Sequence, residues 1–299
     1  MIISWYDTGR NNMKIRVRDI WISSIEIMSK KPVVLAPFAI IAFLELLALE
    51  LLYFAPQKPL MYLANPIIRK FFGPSYTHYP NNLLILPKFF YVAQLAIYII
   101  FGVFLSAITV SLVKNIRRKL PLTMKAVLRN NYARYASYLM YGIFIALVVY
   151  FSRKGSIYLF SKFFAFVSSH IPMTISKYLP ILLPPALYIA NIIINVFFIL
   201  VIPIIVIKRS MLIKAIGESI YYGFRYFLKL FVLMFVPYLL YFPIALLKNF
   251  PGTIATRVHP EALLWISVLG IVMVMFIECF IVVCVSQFIL NIYEKENKK

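Results

Sequence analysis

Apolar residues fall into six long runs along this chain, at about 33–55, 89–113, 135–151, 181–207, 230–247 and 262–290. An α-helix rises 1.5 Å per residue, so roughly 20 apolar residues cross a ~30 Å hydrocarbon layer. The pattern predicts six membrane-spanning helices, the third of them short. The polar connections alternate between two kinds. One kind is basic and has helical periodicity; the other is rich in proline and aromatic residues.

The clearest basic connection is 208–229, which leads directly into the fifth run. Ile213, Ile216, Ile220, Phe224 and Phe227 recur at three- and four-residue steps and form one stripe. Arg209, Lys214, Glu218, Tyr222, Arg225 and Lys229 fall on the other side. A helix with an aromatic-aliphatic face and a basic face lies well at the headgroup level of a bilayer. Weaker versions precede it. In 14–30, Arg16, Asp19, Ser23, Glu26 and Lys30 form a polar stripe opposite Val17, Trp21, Ile25 and Met28. In 114–134, Thr123 is placed to cap a short helix running to Arg134. The predicted interfacial contacts are Lys208, Arg209, Lys214, Arg225, Arg117, Arg118 and Lys119, facing anionic lipid headgroups or a membrane or peripheral protein partner.

The other connections predict an interfacial helix at 60–72 and an interfacial or re-entrant segment at 157–167. Of the 31 lysines and arginines, 21 lie in the termini and the basic connections. The excess of positive charge predicts that both termini and all three basic segments face the cytoplasm, in a multi-pass cell membrane protein.

The order of basic amphipathic helix, span, outer connection and span occurs three times. This predicts repeat-like units at about 14–113, 114–207 and 208–292 within one membrane domain. Ser24-Ile25 before Lys30 parallels Ser219-Ile220 before Arg225, and Lys125-Ala126-Val127 echoes Lys214-Ala215-Ile216. Ala215, Ser219 and Arg225, before Phe227-Leu228, fit an A-x-x-x-S-x-x-x-x-x-K/R segment entering a span. In that segment and in its layout the chain resembles the YciC-like proteins and the membrane domain found beside some glycerophosphodiester phosphodiesterases. The resemblance implies a polytopic helical fold. It brings no catalytic residues, because the phosphodiesterase chemistry of such proteins belongs to a separate soluble domain.

Composition agrees with the pattern: 63% of residues are hydrophobic and 14% charged. The net charge of +21 raises nucleic acid as a partner. The cations sit beside apolar runs, however, and no nucleic-acid-binding motif is present. Cys279 and Cys284 are five residues apart in one run and point to different sides of a helix, too far apart to bridge.

The sharpest candidates for chemistry are Glu45 and Glu278, each near the middle of a span, where an ionised carboxylate is costly. Asn191 and Asn195 are four residues apart on one helix face, and Gln94 lies in the second run. These five suit an ion or proton site, or else interhelical hydrogen bonds. No lysine or arginine lies deep in a run to serve as their counter-charge. His78, His170 and His259 fall in separate loops, without the close spacing of a metal site. No nucleotide-binding, zinc-protease or nucleophile-elbow motif occurs. Asp7 and Asp19 both lie outside the runs, which excludes an intramembrane aspartate pair. Trp5, Trp21 and Trp265 read as interfacial anchors. Neither cofactor nor metal is expected. The leading expectation is a non-enzymatic scaffold that engages lipid through its amphipathic helices. The alternative is a permease subunit energised by a separate ATPase or an ion gradient. A dry, packed bundle favours the first, and a polar vestibule within the bundle favours the second.

Overall fold

Every regular element among the described residues is helical, as an apolar solvent that satisfies no backbone group requires. The computed structural model describes residues 16–120, 123–168 and 179–296. Trp5, Asp7 and His170 lie outside them. The helices are α1 (Val17–Lys30), α2 (Ala36–Phe54), α3 (Met61–Phe72), α4 (Asn81–Ile97), α5 (Val103–Arg117), α6 (Met124–Tyr132) and α7 (Tyr135–Ser168). They continue with α8 (Leu179–Phe198), α9 (Val201–Lys208), α10 (Leu212–Arg225), α11 (Phe227–Leu247), α12 (Pro251–Arg257) and α13 (Ala262–Glu296). A π-helical turn, Tyr98–Gly102, joins α4 to α5.

Six helical stretches are long and apolar enough to cross a membrane. The protein is an all-α polytopic bundle. In order, its spans are α2, α4–α5, α7, α8–α9, α11 and α13. The second, fourth and sixth spans bury 61, 50 and 44% of their most apolar stretch, whereas the first, third and fifth bury 33, 22 and 28%. The even-numbered spans therefore form the interior. α5, α9 and α13 pack on one another, and each odd-numbered span fills the gap between two of them. α2 lies between α4–α5 and α13, α7 between α4–α5 and α8, and α11 between α8 and α13. The outer helices turn apolar stripes away from the core, such as Ile40, Phe43, Leu47 and Leu51 on α2.

The helices of the three basic segments repeat one packing relation. α6 lies on α5, α10 lies on α8 and α9, and α1 lies on α13. Each thus docks on the span that precedes it, and the first docks on the last span of the chain. Each buries two residues four apart: Ile20 and Ser24, Val127 and Asn131, Ala215 and Ser219. On α10 a third small residue continues the row. A Cβ on Gly223 would stand 2.9 Å from Phe197 Cδ1 and 3.1 Å from Phe197 Cα. Small residues permit this close approach of helices, and the Ser219 hydroxyl donates to the Phe197 carbonyl at 2.7 Å.

Several expectations need correction. The third span is not short: α7 continues unbroken through 157–167, so that segment is neither re-entrant nor a separate interfacial helix. The second span starts earlier than its apolar run, with Pro87 inside α4. α1 is rotated from its expected orientation, with Ile20 and Ser24 buried and Ile25 exposed. The expected helix at 60–72 is present as α3.

Candidate functional site

Above the tightly packed basic end, the six spans line a half-open cavity of about 330 Å³. Its polar wall comprises Glu278 on α13, Asn195 on α8, Ser106 on α5, Tyr141 on α7, Tyr238 on α11, and Tyr98 in the π-helical turn. The irregular stretches of the inner spans lie at this level. The π-turn adds a residue to the helix and carries Tyr98 into the wall, while Gly142 on α7 lets the third span close on it. A Cβ on Gly142 would meet the Ile99 carbonyl at 3.1 Å. The fourth span is interrupted between α8 and α9, close to Pro203, which cannot donate an intrahelical hydrogen bond.

Tyrosines bond backbone carbonyls of the π-turn, of the end of α8 and of α11. Tyr135 donates to Ile100 at 3.0 Å, Tyr141 to Phe198 at 2.8 Å, and Tyr188 to Tyr238 at 2.8 Å. Broken or bulged helix backbone is tolerated at membrane depth where protein groups or an enclosed cavity satisfy it. Toward the basic end the cavity floor is a dry plug. Val110, Val113, Val201, Ile204, Val285, Phe288 and Ile289 are fully buried there. In the opposite direction a second cavity of about 170 Å³ adjoins the first, with Tyr91 and Val149 lining both. Ser152, Arg153, Ser156, Tyr188, Asn191 and Asn249 line the second.

The structure thus separates the two asparagines that share a helix face: Asn195 lines the central cavity and Asn191 the outer one. Glu45 is buried behind the wall and accepts a hydrogen bond from Gln94 at 2.9 Å. Glu45 and Glu278 lie on two spans that pack together, α2 and α13.

Their surroundings include a cation that the sequence pattern does not reveal. Lys248 follows the last residue of α11, yet its side chain turns back into the bundle. It donates to the Tyr241 hydroxyl at 3.2 Å and lies against Gly270 on α13. Burial pushes its ammonium below the usual lysine range, and the attraction of Glu45 partly offsets this. Lys248 is thus a cation within the field of Glu45, although it lies outside the apolar runs. Lys248 lies in a connection by sequence and in the bundle by geometry.

The candidate interfacial residues have separate placements. Arg117 donates to Gln287 Oε1 at 2.6 Å, Asn291 Oδ1 at 2.7 Å and Glu294 Oε2 at 2.7 Å, clamping α5 to α13. Lys208 pairs with Glu218 at 3.1 Å and donates to the Tyr222 hydroxyl at 3.0 Å. Arg225 donates to the Tyr221 hydroxyl at 2.8 Å and sits over the Tyr226 ring. Lys119, Lys214, Arg118 and Arg209 are all exposed, and Arg118 and Arg209 line the rim of a recess at the basic end. On α10 only part of the expected apolar stripe faces outward: Ile213 is 86% and Phe224 70% exposed, whereas Ile216 and Phe227 pack against the core.

Elsewhere, Glu261 accepts from Tyr79 and contacts His259. Among the described residues no three His, Cys, Asp or Glu side chains converge. Cys279 and Cys284 are buried and unpaired. Comparison with protein-family models, curated proteins and solved structures finds no match for this chain.

Proposed function

We propose that this protein is a transport component of the cell membrane, passing a small polar or cationic solute through the centre of its bundle. The observation that carries this reading is the 330 Å³ cavity, which holds the Glu278 carboxyl and is bounded by an apolar plug at one end. A carboxyl, a carboxamide and several hydroxyls suit a hydrogen-bonding or positively charged solute. Broken helices around a site at mid-membrane depth are a transporter device. The excess of lysine and arginine orients the basic end toward the cytoplasm, so the cavity file leads outward and the plug seals the inner side. Glu45, Glu278 and Lys248 supply titratable groups through which an ion gradient can act; a separate ATPase is the other source of energy.

Cysteine accessibility tests this. Asn195→Cys and Ile192→Cys are introduced separately, with Cys279 and Cys284 replaced by alanine, and sealed vesicles receive a membrane-impermeant thiol reagent. Asn195→Cys reacts and Ile192→Cys, buried in packed core, does not. Equal protection of both positions, under energised and de-energised conditions alike, overturns the transport reading.

A second reading rests on α10. Its outward stripe of Ile213 and Phe224 beside exposed Lys214 suits insertion at an anionic lipid surface and a lipid-organising role. It makes no use of the polar cavity, and so it stands second.

A further inference from the structure

At the basic end, a recess of about 580 Å³ separates α5, α6 and the end of α9. Its walls carry Lys114, Arg118, Arg129, Arg134 and Arg209 together with Asn115, Asn130 and Asn131. No acidic residue lines it among the described residues. Two of the five cations are anchored. Lys114 donates to the carbonyls of Val206 and Ile207 at 3.2 and 3.4 Å, and Arg134 donates to Ile205 at 2.9 Å. These bonds satisfy the C-terminal carbonyls of α9 and hold both side chains at the recess. Each keeps further N–H donors, since an ammonium has three and a guanidinium five.

The guanidinium groups of Arg118, Arg129 and Arg209 make no hydrogen bond or ion pair with any described residue. Arg209 reaches the wall through a left-handed backbone conformation (φ 56, ψ 31), which costs a side-chain-bearing residue free energy. Lys114 lies within electrostatic reach of Arg118, Arg209 and Arg134. The floor is rigid: Tyr138 donates to Asn131, and Asn131 in turn donates to Ser111. Arg118, Arg129 and Arg209 are exposed at the rim and Lys114 and Arg134 half-buried behind them, and like charges gathered around one concave site repel one another until an anion joins them.

We infer that this recess binds a phosphate-bearing anion, its oxygens held by Arg118, Arg129 and Arg209 with Lys114 behind them. Arginine suits this role because its planar fork of donors matches phosphate oxygens in pairs. The site needs neither the central cavity nor the outward stripe of α10, so it stands apart from both functional readings. The phosphate can belong to an anionic lipid headgroup at this level of the bilayer or to a free phosphate compound.

The test compares the full-length protein with R118Q/R129Q/R209Q and with a control of equal charge loss at exposed positions given no lipid role, R18Q/K31Q/K125Q. Phosphatidylglycerol retained in detergent is counted by native mass spectrometry, with phosphatidylcholine as the neutral probe. Inorganic phosphate is added separately, and the thermal shift is read. A headgroup site gives a loss of phosphatidylglycerol of at least about tenfold in the recess variant and little in the control, the size of one charge-assisted hydrogen bond. A free-anion site gives a phosphate-dependent thermal shift in the wild type that the recess variant lacks, with lipid retention equal in all three. Should the triple variant fail to fold, R129Q alone reports, because Arg129 is exposed on α6. Equal lipid loss in recess and control variants, with no difference in phosphate response, overturns the site.

Discussion

Gly270 makes room for Lys248: a Cβ at position 270 would stand 2.8 Å from the lysine Nζ and 3.2 Å from its Cε. Through that groove the ammonium reaches Tyr241 and the field of Glu45. The two groups form no direct ion pair, but their charges attract at a distance, so loss of either leaves the other less compensated. Lys248→Met and Glu45→Gln should each lower the thermal midpoint in detergent, and the double variant should lose less than the sum. The coupling expected for groups in one network is about 0.5–3 kcal/mol. Strict additivity would show that the two charges do not communicate.

The same lysine sets a pH dependence. Burial lowers its folded value from the ordinary 10.5. Between that lowered value and 10.5 the unfolded chain binds more protons than the folded one, so stability rises with pH. The penalty is fully present below the lowered value and gone above 10.5. The difference in midpoint between wild type and Lys248→Met should therefore shift in favour of the wild type as pH rises through this window. A shift in the opposite direction would contradict a desolvated ammonium.

Arg117 uses its planar fork to hold three side chains of α13 at once. Arg117→Ala should cost about 2–3 kcal/mol, the scale of hydrogen bonds to a charged group. Arg117→Lys should recover less than half of it, since a point charge cannot reproduce the fork. Full recovery by lysine, measured by thermal unfolding, would reduce the clamp to simple charge attraction.

The row Ala215, Ser219 and Gly223 docks α10. Gly223→Val forces atoms into the Phe197 backbone and should destabilise by about 1–3 kcal/mol, the usual cost of overpacking. Gly217 lies on the same helix with nothing within 4 Å of its added Cβ. Gly217→Val therefore serves as the control for β-branching in the helix, and limited proteolysis between α9 and α10 should rise in the first variant alone. Equal cleavage of both would place the damage in helix propensity rather than in docking.

Most of the layout was legible before any coordinates, because the bilayer sets the length of an apolar run and polar connections mark its ends. The division into inner and outer spans was not. α2 and α13 are both highly apolar, and nothing in mean hydropathy distinguishes lipid from protein as their neighbour. Lys248 was missed for a related reason: its path depends on Gly270, a residue of another span. Span three looks short in the sequence because Arg153, Lys154 and Lys162 interrupt the apolar run, yet an exposed helix accommodates such residues without breaking. Glu45 and Gln94 were both singled out, and the structure joins them. Asn191 and Asn195 were grouped by periodicity, and the structure places them in different cavities.

The docking of α1 on α13 has a consequence for biosynthesis. α1 is made well before the helix it packs on, so Ile20 and Ser24 stay uncovered until residues 262–296 are inserted. The bundle is closed by the final span, much as a barrel is closed by its last stave. A chain stalled or truncated before residue 262 would present an unsealed seam, with α2 and α11 lacking the helix that separates them. Such an intermediate offers a membrane chaperone or protease a feature that the finished molecule hides.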